Sequence, residues 1–206
     1  YEIVFGDWSS ACALPIWDVM LFNLSMYNTT DILSNATLSL YWYYPANTTR
    51  RNDTIVEIYR PFAWDPEYVS WNRQNSTATW NTSGGNWFDH NGTVQGNEPY
   101  ASLTFAAKDT PDNRYYDLNV TELVQEYING TYNNTGFFLK ARNESVNYIA
   151  FYSSDWSNAS QRPKLTITVD KPPIANAGSD ISTIVGTNTT FNGSSSTDDR
   201  SGRAHV

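Results

Sequence analysis

Short stretches of alternating apolar and polar residues recur along the chain, each closed by Gly, Asn, Asp or Pro. The fullest is Ala36–Tyr44, in which Leu38, Leu40 and Trp42 point one way and Thr37, Ser39 and Tyr41 the other. That is the period-2 signature of a half-buried β-strand. Thr54–Tyr59 repeats it, with Val56 in phase with Ile58 and Ile55 with Glu57. The same reading predicts strands at Tyr1–Phe5, Val19–Leu24, Tyr68–Trp71, Ala101–Ala106, Tyr115–Leu118, Gly136–Ala141, Tyr148–Tyr152 and Leu165–Val169. Many short strands separated by turn signals specify an all-β sandwich or barrel.

One segment breaks the alternation. In Asn119–Gly130 the apolar residues Val120, Leu123, Val124, Tyr127 and Ile128 recur at helical spacing. Asn119 and Glu122 stand at capping-box distance, and Gly130 supplies a left-handed stop. The spacing predicts a single short amphipathic helix over Asn119–Ile128, lying on the sandwich. Between Asn72 and Asn97 the chain is polar and rich in glycine (Gly84, Gly85, Gly92, Gly96), a loop long enough to be functional or mobile. After Val169 the composition changes. Asp170–Pro173 reads as a linker, and two short strands are predicted beyond it, around Ile181–Val185 and Thr189–Asn192, too few to bury a core alone.

Composition narrows the function classes. Of the 206 residues only 17% are charged, with a net charge of −8, which argues against nucleic acid, whose phosphates demand clustered Lys and Arg. No apolar run approaches the length of a membrane span, so no direct membrane insertion is expected. Cys12 is the single cysteine, and the fold must stand on its core without an internal disulfide. Fifteen Asn-x-Ser/Thr triplets, from Asn23 to Asn192, favour an extracellular, cell-surface glycoprotein. The chain opens at Tyr1 without a leader and is expected to be a fragment of a larger protein.

From Val19 to Val169 the order of elements resembles the DNRLRE domain, also called the disaggregatase-related repeat, a module of methanogen cell-surface proteins and bacterial secreted proteins. The resemblance rests on MLFNLS (Met20–Ser25), NATLSLYWYY (Asn35–Tyr44), YVSWN (Tyr68–Asn72), DLNVTELVQEYING (Asp117–Gly130), TGFFLKAR (Thr135–Arg142), IAFYSSDW (Ile149–Trp156) and RPKLTI (Arg162–Ile167). It implies a jelly-roll-like β-sandwich and an accessory, non-catalytic role in an archaeal envelope. Pro172–Asp199 resembles the opening of a PKD domain, an immunoglobulin-like sandwich of which this would be a truncated piece. The expected division is therefore 1–169 sandwich, 170–173 linker, 174–199 incomplete second domain and a tail, 200–206. The resemblance implies a first strand and its loop ahead of the position of Tyr1, which are expected to be missing from this fragment. Cys12–Ile16 and Gly202–Val206 match the peptides that common library adapters encode in one reading frame, and are expected to be foreign to the natural protein.

Candidate chemistry is sparse. Asp65 and Glu67 flank Pro66, and Asp89 and His90 share the glycine-rich loop, but neither pair has a context implying the burial or activation that glycoside hydrolysis requires. No nucleophile elbow or metal-ligand spacing is present, so no enzyme is expected. Eight Trp and fourteen Tyr point instead to stacking on the flat faces of sugars. Trp80, Trp87 and Phe88 sit in the polar loop, where no periodicity buries them, and Trp64 and Trp156 lie in loops beside Asp65 and Asp155. These five are the candidate carbohydrate-binding residues, the other role open to them being that of loop anchors. Asp109 and Asp112 are candidate ligands for a structural Ca2+, or equally turn formers. The expected function is structural or adhesive, with polysaccharide or neighbouring surface-protein domains as partners. The alternatives are an accessory domain of a polysaccharide-degrading enzyme and a purely architectural stalk.

Overall fold

The structure, a computed structural model, describes residues 17–44, 52–109, 113–142, 149–170 and 174–197. The expected strand Tyr1–Phe5, the Cys12–Ile16 peptide, Asp112, most of the 170–173 linker and the tail from residue 200 lie outside them. The described chain is an all-β sandwich with one helix. Its strands are β1 (Trp17–Met20), β2 (Ile32–Tyr44), β3 (Thr54–Pro61), β4 (Trp87–Phe88), β5 (Ala101–Phe105), β6 (Tyr115–Asn119), β7 (Phe137–Ala141), β8 (Ala150–Phe151) and β9 (Lys164–Asp170). The helix α1 (Thr121–Ile128) sits between β6 and β7.

All pairings are antiparallel. In the first sheet β1 pairs with β7, β7 with β3, and β3 takes both β5 and β4. In the second, thirteen-residue β2 is the spine, flanked by β6 and β9, with β8 pairing near its C-terminal end. The alternation read from the sequence places the core. Ala36, Leu38, Leu40 and Trp42 of β2 face Val56, Ile58, Phe105, Phe137 and Leu139 of the first sheet, and Leu123, Val124, Tyr127 and Ile128 of α1 join the same cluster. Trp42 is fully enclosed, with Phe105 at 4.8 Å and Tyr116 at 5.7 Å.

Several boundaries differ from expectation, each for a local reason. Strand β2 begins at Ile32, because a register shift between Leu33 and Asn35 interrupts the alternation while the ladder to β9 continues. Strand β1 ends at Met20 rather than Leu24. Gly136 lies against this exit at φ 83°, where a Cβ would fall 1.9 Å from the Met20 carbonyl oxygen. Tyr68–Trp71 is not a strand. The amides of Tyr68 and Val69 both return to the Asp65 carbonyl, closing a turn. The helix starts two residues late, because the Val120 amide still bonds the Ala36 carbonyl of the sheet. The expected capping box is therefore absent: the Asn119 side chain accepts from the amide and hydroxyl of Thr121, at 3.0 and 2.7 Å. Gly130 stops the helix at φ 75° as read.

Beyond residue 173 the expected strands Ile181–Val185 and Thr189–Asn192 do not form. The described segment holds one bridge, between Ile174 and Thr197, and leaves Ile184, Val185 and Phe191 exposed. A segment this short has no second layer of its own to bury such residues.

The feature that alternation alone misses is β3, which is buried on both faces. Val56 and Ile58 enter the main core, while Tyr59 joins Val19, Trp87 and Phe138 in a second cluster on the outer side. Trp64 and Val69 pack on that cluster from residues 62–99, so the long polar stretch is a lid over the first sheet. Beneath it Glu57 is only 2% exposed, held by Arg142 Nε at 2.6 Å, Lys140 Nζ at 3.7 Å and the donating Tyr59 hydroxyl at 2.9 Å.

Two glycine substitutions separate crowding from backbone strain. Gly136→Ala is expected to destabilise by about 3 kcal/mol or more, since it adds a collision with the backbone to a left-handed residue. Gly130→Ala meets nothing within 4 Å and is expected to lose only about 1 kcal/mol. Urea unfolding midpoints measure both.

Candidate functional site

The five aromatic candidates fall into three environments. Trp80 and Trp87 are each only 6% exposed. The Trp87 ring stacks on Phe138 at 5.3 Å and 19°, and its indole N–H donates to the Gly96 carbonyl at 3.0 Å. Trp80 donates to the Ser70 carbonyl at 2.9 Å. Both are loop anchors: burial leaves neither with a ring face to offer a sugar. The glycines explain how the lid lies so close. A Cβ on Gly85 would strike the Phe138 ring at 2.4 Å, and one on Gly96 would fall 1.9 Å from the Asp89 carboxylate. Phe88 and Trp64 are half-buried. Phe88 stacks on Phe62 at 4.4 Å with the Arg60 guanidinium 4.2 Å from its centre, and Trp64 donates to the Thr135 carbonyl at 2.8 Å.

Trp156 differs. It is 38% exposed and ends a row of parallel rings: Trp156 on Tyr152 at 4.2 Å and 12°, Tyr152 on Tyr43 at 4.3 Å and 6°. Tyr41 joins Tyr152 at 5.6 Å and meets Tyr115 edge-on at 5.2 Å, with the Lys164 ammonium 4.1 Å from the centre of the Tyr115 ring. The row lies on the side of the second sheet opposite its core residues, where Asp117, Thr166 and Thr168 are also exposed. Local hydrogen bonds fix it. The Trp156 indole donates to Gln161 at 2.8 Å, and its carbonyl accepts from Arg162 Nε at 2.7 Å. The Tyr115 hydroxyl donates to the Ser160 and Arg162 carbonyls, and the Tyr41 hydroxyl to Asn113. Burial pushes the hydroxyls of Tyr43 and Tyr115 above their ordinary range. Beside the row is a hollow of about 260 Å3 lined by residues that include Phe22, Ser154, Arg162 and Lys164.

Alternation held a signal for this site. Tyr41 and Tyr43 occupy outward positions of β2, where a merely solvated strand has polar residues. Tyr152 carried no comparable signal, because its partners are brought to it by folding.

A larger concavity, about 740 Å3, lies between α1 and β5. Tyr100 and Ser102 form one wall, and Glu122, Gln125, Glu126 and Asn129 the other. At its margin His90 Nε2 lies 2.7 Å from Glu122 Oε1. Among the acid–base pairs considered from the sequence, Asp89 is buried and accepts from the Thr93 amide at 2.8 Å, while Asp65 accepts from the Glu67 amide at 3.0 Å. Asp109 accepts from the Ala106 amide at 3.1 Å, a turn-forming bond. Among the described residues no three His, Cys, Asp or Glu side chains gather as a metal ion would require.

The hydrogen bond to Glu122 raises the pKa of His90 above its ordinary value of 6.5. A raised folded-state value means the contact favours the fold below about pH 6.5, and that this contribution is lost as pH climbs through the raised value. In an NMR titration His90 is expected to move back toward 6.5 in Glu122→Gln. An unchanged titration would place the cause elsewhere.

Residues 5–167 match the disaggregatase related repeat domain, a span that ends within β9 and leaves the resemblance of Pro172–Asp199 to a PKD domain without support. No curated protein matches the chain.

Proposed function

The chain belongs to the disaggregatase related repeat domain family, a surface-type module, and from that premise we propose that it is a non-catalytic extracellular module that holds polysaccharide on its open aromatic face. The row Tyr43–Tyr152–Trp156 is the observation that supports this reading best. Stacking holds the three rings to one another but leaves apolar ring surface in contact with water, where a sugar's C–H face gains a flat apolar partner. Gln161, Arg162 and Lys164 stand beside the row and supply polar groups for hydroxyls. Proteins that grip sugars commonly divide the work in this way: rings provide area, and a few polar groups provide orientation.

Surface life has independent support. Of the thirteen sequon asparagines within the described residues, eleven are exposed, as glycan attachment requires. Among the described residues no helix is long and apolar enough to cross a membrane. The reading assigns the module no catalytic step, since Asp65 and Asp89 are each occupied in local turns rather than set across a cleft.

Binding to isolated envelope polysaccharide tests this. Trp156→Ala and Tyr152→Ala are each expected to weaken retention about tenfold, by removing a stacking surface. Thr104→Ala, exposed on the other sheet, is expected to leave it unchanged. Retention that survives loss of both rings, or no retention by the unaltered chain, contradicts the proposal and favours a stalk whose aromatic face contacts a neighbouring domain.

A further inference from the structure

The cleft between α1 and β5 goes beyond the aromatic face. Its volume falls within the range of small-molecule sites, about 300–1,000 Å3. Glu122 and Glu126 are one helical turn apart and so share a side of α1, opposite the Tyr100 wall. Ser102, Asn119, Gln125 and Asn129 add hydroxyl and amide groups around them, and among the described residues no lysine or arginine lines the space.

The walls are built rather than incidental. Tyr100 donates to Glu126 Oε2 at 2.8 Å and hydrogen-bonds Arg60 from behind. Arg60 is only 8% exposed, clamped between Phe88 at 4.2 Å and Tyr132 at 3.7 Å, with its Nε lacking any partner. A buried cation with an unmet donor weakens a fold unless it serves something else. Here it fixes the hydroxyl that fixes Glu126. On the helix side Gln125 accepts from the Leu33 amide at 2.7 Å and donates to the Asp31 carbonyl at 2.9 Å and to Asn129 at 2.7 Å. Side chains held in this way lose little freedom on meeting a ligand.

We propose that this cleft is a second ligand site, independent of the aromatic face, that takes a neutral sugar unit through hydroxyls donated to Glu122 and Glu126. Carboxylates are pure acceptors, and with Glu122 Oε1 on His90 and Glu126 Oε2 on Tyr100, each keeps its other oxygen for a hydroxyl of the sugar ring. The Ser102 hydroxyl meets sugar hydroxyls of either sense, while Gln125 is spent on the Leu33 amide, the Asp31 carbonyl and Asn129 and serves to hold the wall. Tyr100 supplies the ring wall. An anionic sugar is disfavoured, because its carboxylate would face two others, of which His90 at the margin meets only Glu122 Oε1.

Isothermal titration of the full chain with cellotetraose, mannotetraose and galactotetraose, against tetragalacturonate, tests the site. At least one neutral tetrasaccharide is expected to bind while tetragalacturonate does not compete. Glu122→Gln and Glu126→Gln are each expected to weaken that binding about tenfold, the effect of a hydrogen bond to a charged group. Repeated in a Trp156→Ala background, where the aromatic face no longer contributes, the loss caused by Glu122→Gln is expected to persist, so failure here is distinguishable from failure of the aromatic face. Glu122 is exposed, so its variant folds even where Glu126→Gln loosens Tyr100. Binding indifferent to both glutamates, equal binding of tetragalacturonate, or no binding of any neutral tetrasaccharide overturns the proposal.

Discussion

The structure depends on burying β3 on both faces. A strand at the centre of one sheet of a sandwich normally keeps one face for the core and one for water. Here the outward face carries Glu57 and Tyr59, and the chain covers them. A buried carboxylate is tolerable only if its charge is met, and Arg142, Lys140 and the Tyr59 hydroxyl meet it. Lys140 also lies over the rings of Tyr59 and Trp87, at 5.6 and 5.3 Å, tying the ionic cluster to the apolar one. With Glu57 neutralised, the lid of residues 62–99 closes, and Trp87 becomes a core residue of a third layer.

The closed lid makes the two sheets unequal. The first has its outer face covered by its own chain, so its aromatic residues are internal and contribute stability. The second keeps an open face, and the rings found there are ordered by stacking and backbone hydrogen bonds rather than by burial. The same lid brings His90 beside α1, and Tyr100, which follows it and bonds the Ile58 carbonyl of β3, forms one side of the cleft that the helix completes. Both surfaces assigned to ligands are thus consequences of where the lid lies.

The sequence disclosed the sandwich more fully than the site. Alternation in Ala36–Tyr44 and the helical spacing of Val120–Ile128 are local properties, and they appear in the structure close to where they were read. The lid was not legible, because its anchoring depends on contacts between residues far apart in the chain, such as Trp87 on Phe138 and Gly85 against the same ring. Glycines that looked like sources of mobility are sites of close approach. Trp80 and Trp87 looked exposed for the same reason: a polar neighbourhood in sequence became an enclosed one in space. Trp156 was legible as a candidate, but its partners Tyr152 and Tyr43 come from β-strand ends more than a hundred residues apart. The cleft eluded the sequence altogether, since its carboxylates lie on a helix read only for its apolar side.

The most direct test of this arrangement is residue-resolved oxidative footprinting of the tryptophans in the native protein. The account predicts slow modification of Trp80 and Trp87 beneath the lid and fast modification of Trp156 on the open face. Rapid oxidation of Trp87, at a rate matching Trp156, would contradict it, because the outer face of β3 would then be open to water.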